Sequence, residues 1–185
     1  MGEILAPITP KTWDGIDPTL WISFSNVYGL SIRGSGTFNG RGSGWWNQAI
    51  KLLSCNKTSV RDVKFVDSPQ THLLAFGCNG VCVNNVSIRS PGDSPNTDGI
   101  HLQSTQHVRI RNSNFSAGDD CISIGDHTSD IVIDNINCGP GHGISIGSLG
   151  KDGSYVEVED IHVSNVSFEG TTNGARIKTW QVCIQ

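Results

Sequence analysis

Three short apolar segments recur in the chain at one fixed interval of 22 residues. They are Gly99-Ile100-His101-Leu102, Cys121-Ile122-Ser123-Ile124 and Gly143-Ile144-Ser145-Ile146. A period near 20 residues with one β-strand per repeat is typical of a solenoid, in which each coil stacks on its neighbours and buries a continuous core. The repeat therefore predicts an all-β fold, a parallel β-solenoid with coils of about 22–30 residues.

An ionisable residue stands two positions before the leading isoleucine of each segment: Asp98, Asp120 and His142. Neighbouring strands of a sheet lie about 4.7–4.9 Å apart, so residues 22 positions apart should lie one above another. We therefore expect these three side chains to form a ladder on one face of the solenoid.

The alternation of side chains along a strand predicts which residues face solvent. If the isoleucines point inward, their neighbours point outward and line a groove. Asp98 and Asp120 share the parity of the inward isoleucines, which predicts a corner of the chain at Gly99 and Cys121. The residues expected on the outer face are His101, Gln103, Ser123, Gly125, Ser145, Gly147, Arg176 and Lys178.

The repeats extend beyond these segments. A fourth strand, Ala175-Arg176-Ile177-Lys178, follows after 31 residues, and the longer interval predicts a projecting loop around Ser148 to Tyr155. Earlier coils are indicated by Leu30-Ser31-Ile32 and Leu73-Leu74-Ala75-Phe76. The stretch from Trp45 to Leu53 has apolar residues at helical spacing but is too short to exclude a strand.

A second series of short strands accompanies the first. Asn85, Asn135 and Asn165 each stand directly before one of its members, where an asparagine suits a turn of the chain. We therefore interpret these asparagines as structural. The members are Val63-Lys64-Phe65, Val86-Ser87-Ile88, Ser113-Asn114-Phe115, Ile136-Asn137-Cys138 and Val166-Ser167-Phe168.

The composition favours one domain over residues 1–185. The chain has 22 glycines and only 16% charged residues, as expected for many tight turns. Its net charge of −4 argues against nucleic acid or an anionic membrane as a partner. The N-terminus lacks the pattern of a signal peptide. Four sequons point instead towards secretion, at Asn56, Asn85, Asn114 and Asn165.

The six cysteines do not follow a zinc-binding pattern. Cys121 and Cys138 flank one loop between two coils, and a disulfide there would contribute about 3 kcal/mol in the loop-entropy model. The remaining four are left open between disulfides and buried free thiols. These are Cys55, Cys78, Cys82 and Cys183.

Asp98, Asp119 and Asp120 would bring three carboxyl groups within a few ångströms of one another. Such a cluster costs free energy unless one member keeps its proton, and a retained proton makes a general acid. Hydrolysis of a glycosidic bond needs one carboxylic acid and one ionised carboxylate. An aspartate at a corner often serves only to bond backbone amides, but three in register with His142 favour chemistry.

Four motifs carry a resemblance to a known family: Asn96-Thr97-Asp98, Gly118-Asp119-Asp120, Gly141-His142-Gly143 and Arg176-Ile177-Lys178. Together they resemble the polygalacturonases, pectin-cutting glycoside hydrolases, and in particular the plant branch. The resemblance covers nearly the whole chain and is diffuse before about Leu73. It implies a right-handed parallel β-helix that hydrolyses α-1,4-galacturonosyl linkages with inversion at the anomeric carbon.

The resemblance also implies roles for individual residues. Asp119 would be the general acid, Asp98 and Asp120 would activate the attacking water, and His142 would lie beside the acid. Arg176, Lys178 and Asn96 would bind the substrate, the two cations through galacturonate carboxylates. No cofactor and no metal are implied. The expected partner is polygalacturonate. The full-length helix is expected to be a monomer that is secreted to the plant cell wall.

Two other functions compete with this one. A calcium-dependent pectate lyase shares the architecture and could bind a hard cation with clustered carboxylates. The other is a non-catalytic, pectin-binding or antigenic β-helix. The family's helix continues beyond the fourth motif, whereas this chain ends at Gln185, seven residues after Lys178. We therefore expect a domain that is incomplete at its C-terminal end, weakly active or inactive, and prone to associate through the exposed edge of its last coil.

Overall fold

The computed structural model describes residues 2–7, 20–42 and 49–181. Within these residues the chain forms 17 β-strands and one short 3₁₀ turn at Lys151–Gly153. The strands in chain order are β1 (Glu3–Leu5), β2 (Leu20–Ser25), β3 (Ser31–Arg33), β4 (Thr37–Asn39), β5 (Ala49–Leu53), β6 (Asn56–Arg61), β7 (Lys64–Val66), β8 (Leu73–Phe76), β9 (Asn79–Asn84), β10 (Ser87–Arg89), β11 (Ile100–Gln103), β12 (Gln106–Ser116), β13 (Ile122–Ile124), β14 (Thr128–Cys138), β15 (Ile144–Leu149), β16 (Val158–Phe168) and β17 (Ala175–Thr179).

The strands form two parallel sheets that wind into a right-handed β-helix. One sheet, which we call the groove sheet because it carries the residues predicted to line a groove, has the order β17-β15-β13-β11-β8-β5-β2. The other ten strands form the back sheet. Ile100 pairs with Ile122, which pairs with Ile144, so the 22-residue register is confirmed. The sequence prediction of an all-β parallel solenoid is therefore confirmed.

The core is a column of aliphatic side chains between the two sheets. Ile100, Leu102, Ile122 and Ile124 are at most 1% exposed, as the alternation predicted. Burial of each such side chain is worth about 1.5–3 kcal/mol. Ile177 on β17, which was predicted to point inward, is 71% exposed, because β17 is the last strand of its sheet and has a neighbour on one side only.

The second strand series lies in the back sheet. Its members are β7, β10 and the second halves of the long strands β12, β14 and β16. Asn85, Asn135 and Asn165 have positive φ values of 52°, 55° and 51°. The left-handed conformation costs less for asparagine than for most residues. It turns the chain between β9 and β10 at Asn85, and within β14 and β16 at Asn135 and Asn165. The structural role predicted for these asparagines is confirmed.

Several further predictions can be compared with the structure. Ala49–Leu53 is a strand, and residues 45–48 lie outside the described part of the chain. An exposed segment joins β15 to β16, which confirms the projecting loop.

The disulfide between Cys121 and Cys138 is present. Cys55, Cys78 and Cys82 are free thiols, and Cys183 lies outside the described residues. In the described part of the chain, no helix has the length and apolar character needed to cross a membrane.

Candidate active site

Asp98 and Asp120 occupy equivalent corners on successive coils of the groove sheet. Each stands two residues before a strand, and the chain bends at Gly99 and at Cys121 as predicted. The amide of Gly99 donates to the carbonyl of Asp120 over 2.9 Å. A Cβ at Gly99 would lie 2.4 Å from the carbonyl oxygen of Cys121, so only glycine allows the two coils to approach this closely.

The backbone of Asp98 is held from the preceding coil by His72. The amide and Nδ1 of His72 both lie 2.9 Å from the Asp98 carbonyl oxygen. Burial lowers the pKa of His72 to about 4, so the ring is neutral at physiological pH. Nδ1 then carries the single ring proton and donates it to Asp98, while Nε2 accepts from Ser90 Oγ over 2.8 Å. This arrangement positions the Asp98 corner.

The carboxyl group of Asp98 is largely buried beside two other carboxyl groups. Burial raises its pKa to about 6, and the charges of Asp119 and Asp120 act in the same direction. Ser123 Oγ, which donates to Asp98 Oδ2 over 2.5 Å, and the charge of Lys178 act in the opposite direction. The protonated form of Asp98 is therefore populated at mildly acidic pH. The sequence analysis had assigned the retained proton to Asp119 through the resemblance.

The carboxylate of Asp120 is surrounded by donors. Its side chain is 1% exposed. Oδ1 accepts from Ser145 Oγ over 2.6 Å and from Arg176 Nη2 over 2.9 Å, and Oδ2 accepts from Lys178 Nζ over 3.0 Å. Burial alone would raise the pKa of Asp120, but the bonds from Ser145, Lys178 and Arg176 outweigh burial and lower it. Asp120 therefore remains ionised.

Asp119 and His142 form a second, more open pair. His142 Nδ1 lies 3.0 Å from Asp119 Oδ1, and the side chains are 38% and 25% exposed. The His142 amide also donates to the Asp119 carbonyl over 2.9 Å. A Cβ at Gly141 would lie 2.5 Å from that same carbonyl oxygen. The predicted ladder placed His142 over Asp120, but its side chain pairs with Asp119.

The Asn96-Thr97-Asp98 segment is locked to the Gly118-Asp119-Asp120 segment. Thr97 is fully buried, and its Oγ1 accepts from the Gly118 amide over 2.9 Å. A Cβ at Gly118 would lie 2.0 Å from the carbonyl oxygen of Ser94, so a larger residue would separate the two segments. Asn96 is exposed on this loop with φ 55°. Asn96 therefore lies on an exposed loop two residues before Asp98.

Most of the residues predicted from sequence come together in this site. The cluster contains Asp98, Asp119 and Asp120 with His142, Arg176 and Lys178. The motifs in the sequence do not predict the hydrogen-bonding roles of His72, His101, Ser123 and Ser145. Both serines were expected to be open to the groove, yet they are 3% and 0% exposed because the side chains they bond cover them. A signal existed, since each serine stands 25 positions after its aspartate.

The donor atoms of Asp119, Asp120 and His142 lie within 4.8 Å of one another, close enough to share an ion. Both oxygens of Asp120 already accept hydrogen bonds from the cations Arg176 and Lys178. A bound metal would have to compete with these two positive charges, which argues against a metal site. The arrangement instead combines one carboxyl of raised pKa with one held ionised, which suits acid-base chemistry.

Comparison with known proteins identifies relatives across the described coils. The chain is 46% identical over 187 residues to an Arabidopsis thaliana protein described as a probable polygalacturonase, and it spans 41% of that protein. It is 40% identical over 195 residues to a polygalacturonase of Persea americana, of which it spans 42%. These alignments cover 98% and 97% of this chain. The chain thus spans less than half the length of either relative.

Solved structures share the fold. A polygalacturonase from Erwinia carotovora ssp. carotovora matches 96% of this chain and 56% of its own, with a TM-score of 0.82 and 26% identity. An endo-xylogalacturonan hydrolase from Aspergillus tubingensis matches 98% of this chain and 53% of its own, with a TM-score of 0.89 and 26% identity. Residues 6–185 match the sequence profile of glycosyl hydrolases family 28. The chain belongs to glycosyl hydrolases family 28.

Proposed function

We propose that this chain carries the catalytic centre of a hydrolase that cuts α-1,4-galacturonosyl linkages in polygalacturonate. One observation carries the proposal: in a chain of this family, the carboxyl groups of Asp98, Asp119 and Asp120 cluster on successive coils with His142, Arg176 and Lys178. Hydrolysis of a glycosidic bond needs carboxyl groups in two protonation states. The relatives named as polygalacturonases support the substrate class.

The residues would divide the reaction between them. Asp119, whose side chain is 25% exposed, protonates the departing glycosidic oxygen, and His142 orients its carboxyl group. Asp98 and Asp120 hold the water and take its proton as it attacks the anomeric carbon from the opposite face. This displacement inverts the anomeric configuration.

Arg176 and Lys178 serve two purposes in this proposal. Each donates to Asp120, and their side chains remain 28% and 31% exposed to the groove. The exposed part offers positive charge to the galacturonate carboxylates of the substrate. Asn96, on the loop edge, completes the polar lining. The two cations therefore link substrate binding to the ionised state of Asp120.

The proposed setting follows from the substrate. Pectin is a component of the plant cell wall, so we propose a secreted protein that acts there as a monomer. The pH profile should peak on the acid side of neutrality, because the reaction requires one protonated carboxyl and ionised partners. The apparent pKa values in that profile belong to the coupled carboxyl cluster.

The experiment is to incubate the chain with polygalacturonate and follow reducing ends, absorbance of unsaturated uronides and the anomer formed first. We expect a low rate of reducing-end release without unsaturated product, and a β anomer by proton nuclear magnetic resonance (NMR). Unsaturated uronides would indicate a lyase, and an α anomer would indicate retention. Binding of polygalacturonate without release of reducing ends would indicate the non-catalytic alternative.

A further inference from the structure

Asp98 is the first member of a row of hydrogen bonds that runs along the groove sheet. Its Oδ2 lies 2.5 Å from Ser123 Oγ, and Ser123 Oγ lies 2.7 Å from His101 Nδ1. His101 Nε2 lies 3.4 Å from Gln103 Oε1. Ser123 is 3% exposed, so its hydroxyl group has these two side chains as partners in place of bulk water.

The hydroxyl group of Ser123 has one hydrogen and two close partners. It can donate to Asp98 or to His101, but not to both at once. If the hydroxyl group donates to the Asp98 carboxylate, His101 Nδ1 must be protonated and must donate to Ser123 Oγ. If Asp98 is protonated and donates to Ser123, the hydroxyl donates to Nδ1, and Nε2–H faces Gln103. The protonation of Asp98 is therefore coupled to the proton arrangement of His101.

We propose that Ser123 and His101 form a proton relay that returns Asp98 to its carboxylate form during the reaction. The inference rests on the proposed function, in which Asp98 takes a proton from the attacking water. The proton on Asp98 Oδ2 passes to Ser123 Oγ while the Ser123 hydrogen passes to the lone pair of His101 Nδ1. This leaves an Asp98 carboxylate and a His101 imidazolium, which then releases its Nε2 proton to solvent water and keeps the proton on Nδ1. Exchange of the ring protons with solvent restores the Nε2–H form when Asp98 is next protonated.

The surroundings of His101 keep its ring in the neutral form, which is the form that has a lone pair for a proton. Burial lowers the pKa of His101, and the charge of Lys178 lowers it further, while Gln103 and Asp120 oppose these effects. The ring is therefore neutral before transfer. Asp98 itself faces Asp119, Asp120 and Lys178. Since His101 is partly exposed, its proton has a path to solvent.

The equivalent position one coil further lacks a relay. Ser145 Oγ donates to Asp120, but its other partner is Arg176 Nε, which donates to it over 2.7 Å. A guanidinium group has no lone pair that could receive a proton at this pH. Of the two coil-equivalent aspartates, only Asp98 is joined through its serine to a group that can accept a proton.

The first test does not depend on turnover. NMR of the whole chain with ¹⁵N-labelled histidine and ¹³C-labelled aspartate would follow His101 and Asp98 against pH. We expect the His101 ring nitrogens and the Asp98 carboxyl group to report a shared transition. In Ser123→Ala the ring nitrogens of His101 should no longer change at the pH where Asp98 titrates. The Asp98 transition itself should move to higher pH. An unchanged His101 titration in Ser123→Ala would overturn the relay.

The second test uses His101→Gln, whose amide keeps a polar contact but cannot carry a proton. We expect kcat to fall about tenfold, less than the typical loss for a direct acid or base, with KM within about twofold. Ser123→Thr, which keeps the hydroxyl, should retain more activity than Ser123→Ala. The matched control is His162→Gln, an exposed histidine on the back sheet. Equal kcat in His101→Gln and wild type would contradict the relay.

The two tests separate the two proposals. A chain that does not hydrolyse polygalacturonate but shows the shared NMR transition would refute the proposed function and keep the coupling of Asp98 to His101. A chain that hydrolyses polygalacturonate but shows no shared transition would refute the relay and keep the proposed function.

Discussion

Asp98 and Asp120 occupy the same place on successive coils, yet the structure gives their carboxyl groups opposite properties. Each precedes a bend, and each accepts from a serine 25 positions later in the chain. The pKa of Asp98 is raised to about 6, whereas that of Asp120 is lowered. Burial would raise both pKa values, but Asp120 accepts from Arg176 and Lys178 of β17, two coils further along the sheet, while Asp98 faces two further carboxyl groups.

The comparison shows how a repetitive fold obtains chemically distinct groups. The solenoid repeats the backbone position, so the same residue type recurs at the same corner. Neighbouring coils then carry different charges. A charged group about 4 Å from a carboxyl group in a partly buried site changes the pKa of that carboxyl group by about 1–3. One aspartate therefore becomes a stable anion and the other a group that exchanges a proton near pH 6.

The largest expected effect concerns the carboxyl group outside this pair. If Asp98 and Asp120 act on the water, Asp119 has to supply the proton to the leaving oxygen. Asp119→Asn keeps the size of the side chain but has no acidic proton, so hydrolysis of polygalacturonate should fall by about 10²–10⁴-fold. Reducing-end release at saturating substrate measures this loss.

A matched control for Asp119→Asn is Asp134→Asn. Asp134 is an exposed carboxylate on the back sheet that accepts from Ser164 and Asn165. Its substitution should leave turnover near that of the wild type. Near-normal turnover in Asp119→Asn would remove this residue from the role of acid and move the role to Asp98, whose raised pKa is compatible with it.

The second largest expected effect is on stability, and it tests the contrast between Asp98 and Asp120. The pKa of Asp98 is raised from 3.8 to about 6, so the folded state binds its proton more tightly than the unfolded state. Its stabilising contribution is complete below pH 3.8 and is lost as pH rises through 6. The free energy of unfolding of Asp98→Asn relative to wild type should therefore rise by up to about 3 kcal/mol between pH 4 and pH 7.

Asp120→Asn should show the opposite dependence on pH. Because its folded pKa is lowered, the Asp120 carboxylate stabilises the fold above the unfolded pKa, and this contribution disappears as pH falls through the folded value. The cost of Asp120→Asn should therefore be larger at pH 7 than at pH 3. Urea unfolding of both variants at several pH values measures the slopes, and slopes of equal sign would break the comparison.

The repeat made much of this fold predictable from sequence. Strands that start at Ile100, Ile122 and Ile144 define the register, and parallel pairing then brings Asp98 and Asp120 onto adjacent coils. The bends at Gly99 and Cys121 followed from parity alone. These features depend on the spacing of residues along the chain, which the sequence records directly.

The chemistry of the site was less predictable, because it depends on side-chain rotamers across coils. Arg176 is 56 residues from Asp120 in sequence, and the pairing register alone does not specify that its guanidinium turns back onto Asp120. The side chain of His142 likewise turns towards Asp119 rather than Asp120. A longer interval before β17 adds to the difficulty, since it changes the register around Leu149.

The smallest expected effect concerns one of the two cations. Lys178→Met keeps the aliphatic length of the side chain and removes the donor to Asp120 Oδ2, which leaves Arg176 and Ser145 in place. A hydrogen bond to a charged group is worth about 1.5–3 kcal/mol, so the free energy of unfolding at pH 7 should fall by about that amount. The pKa of Asp120 should rise towards that of Asp98, which would reduce the contrast between the two corners.

The same substitution should weaken binding of trigalacturonate and mainly raise KM, because one positive charge leaves the groove. Lys64→Met is the matched control, since Lys64 is exposed on β7 of the back sheet; it should change stability by less than about 0.5 kcal/mol. Urea unfolding and calorimetric titration with trigalacturonate measure the two effects. If Lys178→Met lost affinity without losing stability, Lys178 would act on the substrate alone, and the ionised state of Asp120 would depend on Arg176 and Ser145.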